Sequence, residues 1–171
     1  MGMLFVGIVV ALIVVIVVWL SWPLIIGAPW VPTPMKVVKR MLELADVKEG
    51  DVVIDLGSGD GRIIMTAAKE YKARAIGIEA DPIRLLWSRS IIRRKGLSER
   101  VKVLRGNFFQ KDLGEATVVT VYQTQQINNK LKPKFERELK PGTRVVSHTF
   151  TFDGWKLTTV DQESQIYLYI V

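Results

Sequence analysis

The 171-residue chain contains no cysteine and a single histidine, His148. The first absence removes disulfides, thiolate zinc sites and cysteine nucleophiles together, and it leaves the redox compartment open. The second excludes a multi-histidine metal centre, and no metal site is expected. Charge is also missing from Met1 through Met35, where no Asp, Glu, Lys or Arg occurs. All 24 basic and 17 acidic residues, and the whole formal charge of +7, therefore belong to the remaining chain. That remainder is just long enough to bury one core.

Within the uncharged stretch, Met3 to Leu20 is apolar without interruption. At helical rise such a run spans about 27 Å, close to the hydrocarbon thickness of a bilayer. Trp19, Trp22 and Trp30 lie at or beyond its carboxyl end, where indoles favour the headgroup region, and Pro23 marks the expected end of the helix. A cleaved signal peptide would carry a basic start and a small-residue cleavage pattern, and neither is present. A buried soluble helix would show a polar face. Residues 1–22 are therefore expected to form one transmembrane anchor, residues 23–32 a connector, and residues 33–171 the catalytic domain. Lys36, Lys39 and Arg40 are the first charges after the span. The positive-inside rule puts them, and the domain that follows, on the cytoplasmic side, or in the matrix if the membrane is mitochondrial.

The rest of the chain alternates strand and helix. Thr33-Pro34 reads as an N-cap with proline at the first helical position, followed by Val38, Met41, Leu42 and Ala45 at helical spacing. Strands are expected at 51–56, 75–79, 101–104, 117–122 and 144–147, with helices at 62–71 and from Asp81-Pro82 to about Lys95. A helical stretch broken at Pro133 precedes the fifth strand, and residues 156–160 and 165–171 read as a closing antiparallel hairpin. The pattern predicts an α/β fold with a mostly parallel sheet covered on both faces.

The segment Asp55-Leu56-Gly57-Ser58-Gly59-Asp60-Gly61 leaves a buried strand and opens a helix. An open α/β sheet offers its ligand crevice at that point. Gly57 suits a tight turn, and Gly59 lets backbone N–H groups approach a ligand with no Cβ in the way. The spacing is G-x-G-x-G, not the G-x-G-x-x-G of dinucleotide folds. Glu79 ends the next strand, where a carboxylate can accept both hydroxyls of a ribose. Asp55 has two readings, as a ligand contact or as a structural carboxylate for the loop.

DLGSGDGR followed by GIEADP resembles motifs I and II of the class I, seven-strand methyltransferases. More narrowly, the chain is similar to the lysine methyltransferases of the ATP synthase c-subunit and adenine nucleotide translocase, and to their archaeal relatives. The narrower likeness is carried by Val31-Pro32-Thr33-Pro34, Gly106-Asn107-Phe108-Phe109 and Leu139-Lys140-Pro141-Gly142 through Ser147. The resemblance implies a Rossmann-like sheet and S-adenosyl-L-methionine as cofactor. It also implies cofactor contacts from Thr33, Asp55, Gly57, Ser58, Gly59 and Glu79, with Asn107 and Phe108 flanking the adenine. The chain departs from the family at Trp30, Thr117 and Tyr122-Gln123.

For a lysine acceptor the amine must lose its proton before it can attack, and with a pKa near ~10.4 only about one in a few thousand is neutral at pH 7. An apolar channel beside a cationic cofactor lowers that pKa. Tyr122, at the end of the fourth strand, is the expected channel wall and hydrogen-bond acceptor, with Trp155 a weaker candidate. His148 reads as a satisfied structural group. The expected substrate is a lysine of a membrane protein near the headgroup plane, because the ten-residue connector reaches at most ~35 Å. Residues 84–105 hold eight Lys/Arg and one Glu, which suits anionic lipid headgroups better than nucleic acid. The competing readings are methylation of a lipid or quinone and a non-enzymatic cofactor-binding module.

Overall fold

The computed structural model describes residues 2–26 and 31–171. The chain divides into two compact units, residues 1–31 and 32–171. In the first, α1 (Gly2–Ile26) is a 25-residue helix with no acidic residue in its first turn and no basic one in its last. It continues through Pro23 instead of ending there. The side chains of Met3 and of residues 19–26 are outside the described set, as are most of the expected connector and Trp30. Over the residues described, no helix is long and apolar enough to cross a membrane. The transmembrane helix expected at residues 1–22 is therefore not supported by the structure.

The second unit comprises α2 (Met35–Leu44), β1 (Val52–Leu56), α3 (Arg62–Tyr71), β2 (Arg74–Glu79), α4 (Pro82–Arg94), β3 (Val101–Arg105), β4 (Val118–Val121), α5 (Gln125–Glu138), β5 (Arg144–His148), β6 (Thr159–Asp161) and β7 (Ile166–Ile170). The strands form one seven-stranded sheet in the order β3-β2-β1-β4-β5-β7-β6. Strands β1 to β5 run parallel, while β7 is antiparallel to both β5 and β6. The mostly parallel sheet and its closing hairpin are as expected, with β7 inserted between β5 and β6.

Alternating side chains send the central strands β1, β2, β4, β5 and β7 into two cores. Val53, Ala75, Val103 and Val118 pack with α2, α3 and α4 on one face. Ile54, Leu56, Ile76, Ile78, Val119 and Val121 pack with Leu131 and Phe135 of α5 on the other. Val38, Met41, Leu42 and Ala45 are fully buried, as their spacing required. The N-cap of α2 is Pro34, with no side-chain cap, so Thr33 does not cap this helix. Pro133 lies inside α5 without breaking it, because Leu131 and Phe135 on either side anchor the helix to the sheet.

At the amino-terminal end of the sheet, Asp51 accepts hydrogen bonds from Thr117 Oγ1 (2.7 Å), from Lys48 N (2.8 Å) and from Arg144 Nη2 (2.5 Å). Arg144 also donates to the carbonyls of Ala45 and Asp46, which fastens the α2–β1 turn to β5. Removing one partner of a buried ion pair leaves the other charge uncompensated. Asp51→Ala is expected to cost about 3 kcal/mol, read as a drop in thermal midpoint of roughly 10 °C. An unchanged midpoint would show that this cluster does not hold the turn.

Candidate cofactor crevice

The strand order reverses at β1, whose neighbours are β2 on one side and β4 on the other. The helices reached from β1 and β2 pack on one face and α5, reached from β4, on the opposite face. The chains therefore part at the carboxyl ends of β1 and β4 and leave a crevice, the usual ligand position in such sheets. Asp55 and the glycine loop line it from β1, Glu79 from β2, and Tyr122 and Gln123 follow β4.

The loop is held by backbone and by carboxylate. Gly57 N and Ser58 N both donate to Ile78 O, at 2.9 and 3.1 Å. Gly57 has φ +84°, and a Cβ there would come within 2.5 Å of Gln123 Nε2, which itself donates to Leu56 O at 2.9 Å. Its missing side chain thus accommodates both the turn and the Gln123 carboxamide. Glu79, 5% exposed, accepts from Gly59 N (2.7 Å) through one oxygen and from Asp81 N (2.8 Å) through the other. Each oxygen takes one of these hydrogen bonds, and Arg84 Nη1 lies 4.0 Å from Oε1. Asp81 in turn caps α4, its Oδ1 accepting from Ile83 N and Arg84 N.

Asp55 is buried, and Thr120 Oγ1 of the adjacent β4 donates to its Oδ1 at 2.6 Å. Burial pushes its pKa from 3.8 up to about 7; the Thr120 hydrogen bond opposes the shift, and the charges of Glu79 and Asp60 add to it. Three carboxylates thus bear on one crevice, and among the described residues none forms a cluster that could hold a metal. A cationic organic ligand carrying a ribose would fit this set of acceptors, with Glu79 there to receive hydroxyl groups and Asp55 to meet positive charge.

The other expected residues are distributed around this centre. The Ser58 hydroxyl is buried against Gly77, where a Cβ would collide with it, and has no hydrogen-bond partner among the described residues. Ser58 thus serves the loop by packing against β2. Thr33 is buried, and its carbonyl accepts from Arg62 Nη1 at 2.8 Å. The same guanidinium grips Asp60, so Arg62 ties the VPTP segment to the glycine loop. Gly106 N donates to Glu79 O at 3.0 Å, which brings the turn bearing Asn107 and Phe108 beside the crevice. Asn107 Oδ1 accepts from Phe109 N, while the half-buried Phe108 ring lies 4.9 Å from that of Phe109.

Tyr122 is partly exposed, and its ring lies 4.3 Å from that of His148. His148 is buried with Nδ1 unpaired among the described residues, contrary to the satisfied group expected, and burial lowers its pKa. Trp155 joins Phe135, Phe152 and Tyr169 in an aromatic cluster and donates to Glu136 Oε1, so it belongs to the core and not to a channel. Sequence reasoning missed three residues: Thr120, Gln123 as a partner of the loop, and Arg62 as its clamp. A polar Thr120 inside the run TVVTVY was a legible signal; the other two contacts had none.

Comparison with known proteins agrees with this geometry. Residues 55–159 match the family model described as the ANTKMT methyltransferase domain. A protein-lysine N-methyltransferase of Saccharolobus islandicus is 47% identical over 84% of this chain and 93% of its own. The Xenopus laevis lysine N-methyltransferase named for the ATP synthase c-subunit is 31% identical over 74% of this chain, which spans only 55% of that protein. A crystal structure described as an RNA methyltransferase from Salinibacter ruber, in complex with S-adenosyl-L-homocysteine, superposes with a TM-score of 0.80. It is 47% identical and covers 82% of this chain and 94% of its own. With a crevice fitted to a ribosylated cation and kinship over most of its length, the chain belongs to the ANTKMT methyltransferase domain family and is an S-adenosylmethionine-dependent methyltransferase.

Proposed function

We propose that the protein is a protein-lysine N-methyltransferase that acts on membrane proteins near the bilayer surface. The observation that carries the lysine reading is its 47% identity to an enzyme named for that activity, across 93% of that enzyme's length. The membrane reading rests on the uncharged, apolar residues 1–22, taken as a single-pass anchor. The catalytic domain then faces the cytoplasm, or the matrix of a mitochondrion, from the Lys36, Lys39 and Arg40 asymmetry.

When bound, S-adenosylmethionine supplies a methyl group activated by a sulfonium, ready for in-line displacement. Positioning can provide most of the catalysis, so the residues act chiefly as clamps. Glu79 accepts the ribose hydroxyls, and Asn107 and Phe108 flank the base. From there the strand order leads across β1 to β4, past Gly57 and the ionised Asp55, to Tyr122. The backbone of Gly57, Ser58 and Gly59, closed over by Thr33, holds the remainder of the cofactor. At Tyr122 the ring walls a channel that disfavours the charged form of an incoming lysine, and its hydroxyl oxygen accepts an N–H of the neutral amine.

The test incubates the protein and methyl-labelled cofactor with native membranes and analyses acid hydrolysates. Label is expected in methyl-lysine. Label confined to chloroform-soluble material would replace this reading with methylation of a lipid or quinone. RNA is the other acceptor class, favoured by the Salinibacter relative's description and by the net charge of +7; label in nuclease-sensitive material would select it.

A further inference from the structure

A helix lying on one face of an open sheet normally turns apolar residues inward and polar residues outward. α4 does not follow that rule. It buries Leu85, Ser88 and Ile92 against the sheet, yet Ile83 is 58% exposed, Leu86 65% and Trp87 45%. These three side chains adjoin at i, i+3 and i+4, and the same side of the helix continues through Ser90 to Arg93 and Arg94. Lys95 extends the basic region beyond the helix end, and exposed Arg105, on the same face of the edge strand β3 as Val101 and Val103, extends it further. Among the described residues Arg93, Arg94, Lys95 and Arg105 form no ion pair, although the molecule pairs many of its other basic residues with acids.

Exposed aliphatic side chains bordered by uncompensated Lys and Arg are the composition of a helix that lies in the plane of an anionic bilayer surface. We propose that the exposed face of α4 is a lipid-contact surface, with Ile83 and Leu86 entering the headgroup region and the Arg93–Arg94–Lys95 cluster meeting anionic phosphates. The charge complementarity selects the occupant: a protein groove for Ile83 and Leu86 would not need four cations without ion pairs around it. α4 is capped by Asp81, whose amide binds Glu79, so lipid contact at Ile83 sets the crevice mouth beside the headgroups. The surface is independent of which acceptor is methylated.

The absence of cysteine makes the test direct. The full chain carrying Leu86→Cys is labelled with a polarity-sensitive fluorophore, and a second sample carries the label at Lys140→Cys as a remote control. Each is mixed with phosphatidylcholine vesicles and with vesicles containing about 30% phosphatidylglycerol, near the anionic content of a cytoplasmic leaflet. The label at position 86 should become at least about fivefold less accessible to an aqueous quencher in the anionic vesicles alone, roughly the factor expected of a single basic residue at such a surface. The control should not change. Adding Arg93→Glu and Arg94→Glu should restore access, and so should high salt. Cofactor binding in the same samples reports folding, and Ile83→Cys replaces Leu86→Cys if the latter fails to bind. Equal access in the two vesicle types overturns the proposal, whether or not methyl-lysine is formed. A protected label without methyl-lysine overturns the acceptor reading alone.

Discussion

Glu79→Ala is expected to weaken S-adenosylmethionine binding by about 100-fold or more and to destabilise the fold at the same time. The carboxylate has two duties that share its four lone pairs. Two are already taken by Gly59 N and Asp81 N, which lock the glycine loop to the start of α4. The other two are the only ones left for a ribose. Hydrogen bonds to a charged acceptor are worth about 1.5–3 kcal/mol each, so losing both ligand bonds removes roughly 3–6 kcal/mol of binding. The two stranded backbone N–H groups cost about 1–3 kcal/mol each in stability. Glu79→Gln should fall between, since one oxygen survives while the amide NH₂ confronts a backbone donor. Calorimetric titration and thermal melts of both variants measure these effects. Undiminished affinity in Glu79→Ala would remove the ribose from this position.

Asp55→Asn should give opposite signs in two measurements. In the free protein the Asp55 carboxyl titrates at about 7 instead of 3.8, first because it is buried and further because Glu79 and Asp60 are charged. A carboxyl whose folded pKa is raised binds protons more tightly in the native state than in the unfolded chain. Its contribution to stability is complete below about pH 4 and is lost as pH rises through about 7. Asparagine carries no charge to desolvate and still offers an oxygen to Thr120. The cofactor-free variant should therefore match the parent near pH 3, already exceed it at pH 5, and exceed it at pH 8 by on the order of 4 kcal/mol. Cofactor affinity should move the other way. An ionised Asp55 attracts the cationic ligand, so binding by the parent should tighten from pH 6 to pH 8 with uptake of cofactor coupled to proton release. In Asp55→Asn that pH dependence should vanish and affinity at pH 8 should fall at least about tenfold, the equivalent of 1.4 kcal/mol. A stability difference that is flat with pH would mean the carboxyl is ionised throughout.

Much of this was legible in the chain. The run DVVIDL and the alternation of short apolar segments with helical spacings specified a mostly parallel sheet, because strands buried on both faces must be apolar throughout. The G-x-G-x-G loop and Glu79 were readable because backbone conformation and a strand-end carboxylate leave local marks: positive φ at Gly57 and an acid before the helix-capping Asp81. Asn107 and Phe108 were placed by family likeness and came to lie beside Glu79 through the Gly106 hydrogen bond. Where local reasoning misjudged an element, packing prevailed. Pro133 did not interrupt α5, since Leu131 and Phe135 secure the helix, and Thr33 gave its carbonyl to Arg62 instead of capping α2.

The sequence by itself determined the sheet class, the glycine loop and the apolar amino-terminal segment, because each depends on the order of residues within a short window. Only the tertiary structure decided that the neutral hydroxyl of Thr120 meets Asp55, that Gln123 fills the space over Gly57, that Ser58 turns into β2, and that α4 keeps Ile83 and Leu86 on its outer side. Those pairings join residues far apart in the chain, up to 67 positions for Gln123 and Leu56. They follow from strand register, which is set by the whole hydrophobic pattern at once and by no segment alone.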